Sequence, residues 1–166
     1  MAKDYVQDRL LPSLLDRLTD NNPNQNFEAV EFKVYSLKQL RENVLRDLSW
    51  LLNATSNKYI CQESSNIRLQ NSVLNFGMPA LSGSFLSGIS LSELRQQIRQ
   101  AVLIYEPRII ADSIQISVKD FEENQHNQVS FDIKAQLWAQ PAPIELLINS
   151  AIDLETGETT IVEVDK

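Results

Sequence analysis

Tyr105-Glu106-Pro107-Arg108-Ile109 is the stretch at which the chain changes period, and its reading decides the fold. Before it, Leu91, Leu94, Ile98, Ala101, Val102 and Tyr105 fall on one face of an amphipathic helix, opened by a capping-box pattern of Ser90 and Glu93. After it, Ile114, Ile116 and Val118 alternate with Ser113, Gln115 and Ser117, the period of a half-buried strand. Pro107 has no N–H and crowds the residue before it, so Glu106 leaves the helical region and the segment from Arg108 is expected to be extended. Residues two apart on extended chain share a face. Glu106 and Arg108 are therefore expected to project together as an opposite-charge pair. Two readings follow: a surface ion pair worth about 0–1 kcal/mol, or a rigid presentation that meets a complementary pair on another protein or pins its own loop.

Downstream, Val129, Phe131, Ile133, Ala135, Leu137 and Ala139 alternate with polar residues and with Trp138, and polar residues 120–128 read as the loop of an antiparallel hairpin. Pro141 and Pro143 interrupt the pattern. Strand character resumes over 145–154 and 159–164 around a turn containing Gly157. Upstream, Ser36 and Gln39 form a capping box, and Leu37, Leu40, Val44, Leu45, Leu48, Leu51 and Leu52 make a core stripe. Trp50 points away from that stripe. A second layer of the same domain is the expected cover, with a partner surface as the alternative. Around Leu69 to Pro79 a short helical turn is expected to end at Gly77, which can take positive φ. The leading segment carries Leu14, Leu15 and Leu18 in a short helix starting near Pro12, followed by a turn-rich linker over 20–26. The prediction is an α+β fold: about three to four helices packed on one face of a mainly antiparallel sheet of about four strands. Residues 1–26 form an N-terminal helix and linker, and residues 27–166 form a single domain.

Composition narrows the function. The chain has 166 residues, 43% hydrophobic and 22% charged, enough for one core. With 22 acidic against 15 basic residues the net charge is -7, which opposes binding to nucleic acid or anionic membranes. The single cysteine, Cys61, allows neither an internal disulfide nor a thiolate metal cluster. No membrane span or signal peptide is read, so a cytoplasmic location is expected.

Catalytic constellations are scarce. His126, the one histidine and the only candidate base, sits in a polar run and reads as a solvated loop residue, and no metal motif or phosphate-binding loop is read. No cofactor is expected. A glycosidase would need a carboxylate pair, for which Glu106 and Asp112 are the nominees. Arg108 beside Glu106 would lower its pKa, the wrong direction for a general acid.

Three phrases occur in order: Ser72-Val73-Leu74-Asn75-Phe76-Gly77-Met78-Pro79, then Glu106-Pro107-Arg108-Ile109, then Leu137-Trp138 with Asp153-Leu154-Glu155-Thr156-Gly157. Together they resemble the TssE baseplate subunits of the bacterial type VI secretion system, relatives of the small wedge protein of contractile-tailed phage baseplates. Ala80 departs from the family pattern, in which aspartate usually follows the glycine-proline turn. The resemblance implies a structural, non-enzymatic protein that joins a wedge with TssF, TssG and TssK. It also implies a platform for the contractile sheath of TssB and TssC around the inner tube, in a complex docked at the inner membrane. Glu106, Pro107 and Arg108 then map onto the family's attachment motif. Trp50, Trp138, Leu14, Leu15 and Leu18 are the further partner-binding candidates. The strand over 128–140 or the final strand is expected to accept an arm of a sheath subunit by β-augmentation. Alanine at Glu106 or Arg108 is expected to leave the fold intact and reduce sheath assembly. A peptidoglycan hydrolase and a small regulatory adaptor are the competing readings.

Overall fold

The computed structural model describes residues 13–19, 24, 36–57, 66–80, 90–119, 128–139 and 142–164. Four strands, β1 (Gln115–Val118), β2 (Gln128–Leu137), β3 (Ile144–Asp153) and β4 (Thr159–Glu163), form an antiparallel meander in the order β1-β2-β3-β4. β2 and β3 pair over ten residues each, from Gln128 opposite Asp153 to Leu137 opposite Ile144. Alternation sets that register, because a slip of one residue would carry Val129, Phe131, Ile133 and Leu137 out of the core. Each strand boundary falls within three residues of its position in the sequence pattern.

Four helices are present among the described residues: α1 (Leu14–Leu18), α2 (Leu37–Asn53), α3 (Ile67–Gln70) and α4 (Leu91–Tyr105). Together with the antiparallel sheet they make the α+β fold that the two periods anticipate. The Ser36–Gln39 capping box forms in full. Gln39 N–H donates to Ser36 Oγ at 3.2 Å, and Ser36 N–H donates to Gln39 Oε1 at 2.9 Å. Ser90 Oγ caps α4 by accepting from Glu93 N–H at 3.3 Å and also bonds Ser92 Oγ, but the reciprocal bond from Ser90 N–H to the Glu93 side chain is not formed, so the second box is only half built. Leu40, Val44, Leu48 and Leu51 of α2 pack with Leu94, Ile98 and Val102 of α4 into one core with the inner face of the sheet. Leu37, at the first turn of α2, is left outside it, about half exposed.

The end of α2 is tied down by two neutral contacts. Asn53 acts as a strand residue would: its Nδ2 donates to Thr159 O at 2.9 Å and its Oδ1 accepts from Thr159 N–H at 2.8 Å. One residue on, Ala54 O accepts from Met78 N–H, and Ser56 N–H donates to Met78 O, both at 2.8 Å. Gly77 lies against this bridge with φ +119°, and a Cβ there would sit 2.3 Å from Ala54 O. The sequence foresaw positive φ at Gly77; the close approach to α2 supplies a second reason that no side chain fits.

Sheet order corrects one expectation. β2 is paired with β1 on one side and β3 on the other, so the strand over 128–140 is interior and cannot be an arm-accepting edge. β4 is an edge. Asp153 N–H donates to Glu158 O and Val164 N–H to Leu147 O, which turns the main chains of Thr159, Ile161 and Glu163 away from β3.

Candidate functional site

α4 ends at Glu106, which takes φ -121° and ψ 77° under the influence of Pro107. Pro107 is exposed at the tip, and the chain turns through Arg108 before it becomes extended. From there it joins the end of β2: Trp138 N–H donates to Arg108 O at 2.8 Å, Ile110 N–H donates to Gln136 O at 2.9 Å, and Ile109 bridges Leu137. The pair thus meets across a turn, not on one face of a strand. The Glu106 carboxylate itself closes that turn by accepting from Arg108 N–H at 3.2 Å.

The surface ion-pair reading does not survive the burial. Glu106 is only 4% exposed. Arg108 grips it in a fork, Nε donating to Oε1 at 2.6 Å and Nη2 to Oε2 at 2.5 Å. Arg108 Nη2 also reaches Asp47 Oδ2 at 2.5 Å, which locks the corner to the middle of α2. Burial alone would lower the Arg108 pKa. Hydrogen bonding and charge from Glu106, then from Asp47, outweigh it and hold the guanidinium above its ordinary range. Alanine at Glu106 would leave Arg108 with one carboxylate in a largely desolvated place, so the expectation of an intact fold is revised to a weakened one.

The network continues. Asp47 Oδ1 accepts from Arg46 Nε at 2.9 Å and from Arg46 Nη2 at 2.7 Å, and that Nη2 also donates to Asp16 Oδ1 of α1 at 2.8 Å. Arg46 Cζ lies 4.8 Å from the Trp50 ring centroid, one helical turn along α2. Trp50 is 50% exposed. An arginine covers one face of it, not the second layer expected from sequence.

Through these contacts the structure gathers the sequence candidates around one corner. Glu106, Pro107 and Arg108 form its centre, Trp138 is joined to Arg108 through the main chain, Trp50 lies under Arg46, and α1 is held by Asp16. Trp138 is 57% exposed, and Leu14, Leu15 and Leu18 all face outward, with no residue of α1 buried. Sequence reasoning missed Asp16, Arg46 and Asp47. The Arg46–Trp50 spacing of four was a usable signal; the Asp47–Arg108 contact joins positions 61 apart and had none.

Catalytic alternatives gain nothing here. Both Glu106 oxygens are occupied by Arg108, and Asp112 sits exposed in a separate 3₁₀ turn, Ala111–Ser113. His126 and Cys61 lie outside the described residues. Among the described residues no group of three or more His, Cys, Asp or Glu is placed to hold a metal ion, and no helix is long and apolar enough to cross a membrane.

The corner thus combines buried charge, met within the chain, with exposed aromatic and leucine side chains. The sequence matches the baseplate wedge protein gp25 family over residues 38–142, more than half of the chain, and the chain belongs to that family, which is also the family of TssE. The family is structural, its role that of a component of phage-tail-like baseplates in contact with other baseplate proteins; it is not a known enzyme family. Comparison with curated proteins gave no match.

Proposed function

We propose that this chain is a structural baseplate component of a type VI secretion system, joining TssF, TssG and TssK in the wedge. In this reading it is also the platform on which the TssB and TssC sheath starts around the inner tube, on the cytoplasmic side of the inner membrane. The family match carries the proposal, because it spans α2, the Glu106-Pro107-Arg108 corner and the end of β2, the elements that build the site. Residues 1–26 then act as a leading arm on a 27–166 body. The corner is the attachment element: its charges are neutralised internally, which fixes its shape, while Pro107, Trp50, Trp138 and the α1 leucines offer apolar contact. Sheath initiation falls to β4, whose outward main-chain groups at Ile161 and Glu163 suit strand addition.

A pull-down from cells carrying the secretion genes, read by mass spectrometry, tests this. Wild-type chain should recover TssF, TssG and TssK, and a Trp50→Ala, Trp138→Ala double variant, altered only at half-exposed side chains, should recover at least tenfold less. Equal recovery by both chains would remove the docking role of this corner.

A further inference from the structure

We propose that α1 and the Glu106-Pro107-Arg108 corner are mechanically coupled, with Asp16, Arg46 and Asp47 as the positioning residues that link them. The inference deepens the docking reading and rests on it for its use in the cell, while the coupling belongs to the isolated chain. Asp47 divides its carboxylate, Oδ1 to Arg46 and Oδ2 to Arg108. Arg46 in turn divides its guanidinium between Asp47 and Asp16. Five charges of alternating sign therefore run without a break from α1 to the buried Glu106.

The Asp16 end is built for this contact. Its side chain is only 5% exposed although every leucine of α1 faces outward, so α1 rests on the body by its acid. Ser13 holds the second carboxylate oxygen, its Oγ donating to Asp16 Oδ2 at 2.5 Å. Trp50 supports Arg46 from beneath, limiting where the guanidinium can go.

The direction of the coupling follows from sharing. With Asp16 in place, Arg46 is satisfied from two sides and leaves Asp47 Oδ2 to Arg108. Without it, Arg46 draws more strongly on Asp47, and the Asp47 hold on Arg108 weakens. Docked α1 thus tightens the corner, and a partner that lifts α1 by its leucines loosens it.

Amide exchange of Trp138 in the full chain, followed by NMR, reads the effect, because that N–H donates to Arg108 O. Asp16→Asn is expected to speed the exchange about two- to fivefold. Arg17→Ala, on the same helix and outside the charge chain, is expected to leave it unchanged. In an Asp47→Asn background, Asp16→Asn is expected to add nothing; should that background unfold, Arg46→Gln interrupts the same route and is read the same way. An unchanged rate in Asp16→Asn, an equal change in Arg17→Ala, or a full Asp16→Asn effect in the interrupted background overturns the proposal. If exchange responds as expected while wild-type chain captures no baseplate subunit, the coupling stands and the docking reading fails.

Discussion

α2 is fastened to the rest of the molecule twice, by opposite chemistry. Its middle is held through Asp47 to Arg108, a charged contact at which both side chains keep some solvent access. Its end is held through Asn53 to Thr159 and through Ala54 to Met78, neutral contacts around a residue only 5% exposed. Neutral pairs have one geometry and little sensitivity to ions. Charged pairs at a rim can be shared, redistributed and screened. The first kind places the helix on the sheet, and the second presents a surface that neighbours can influence.

The comparison is broken most severely at Gly77. Alanine there meets both a positive φ and a main-chain oxygen, so Gly77→Ala should cost about 3 kcal/mol in chemical denaturation. A cost below about 1 kcal/mol would show that the neutral fastening has slack. Next come Glu106→Ala and Asn53→Ala, each expected to cost about 2 kcal/mol: one leaves a guanidinium short of a partner, the other leaves the Thr159 N–H and C=O unmet. Salt provides the finest distinction. Between about 0.05 and about 0.5 M the screening length falls to roughly 4 Å, so the stability loss in Asp47→Asn should shrink by about 0.5 kcal/mol while that of Asn53→Ala stays constant. Parallel salt curves for the two variants would dissolve the contrast between the fastenings.

The placement of the elements was largely legible in the sequence. Alternation placed β1 to β4, the Ser36–Gln39 box placed the start of α2, and Gly77 announced its own backbone angle. What stayed hidden is long range. Nothing in the sequence tells that Asn53 reaches a residue 106 positions away, or that Glu106 is buried and not displayed. The Glu106–Arg108 pair was read from the sequence, but hydropathy treats Asp16, Arg46 and Asp47 as solvent-seeking, and their part in the same network was missed. Periodicity placed Trp50 and Trp138 off the core faces, and both are exposed, but what lies against Trp50 depended on Arg46.

The Asn53 contact also governs how the β4 edge of the sheet can grow. By occupying both main-chain groups of Thr159, the carboxamide acts as an end-stop, so an incoming strand has to align from Ile161 onward toward residue 164. A stretch that brief gives poor purchase, at the β4 edge, for indiscriminate stacking of copies into fibres.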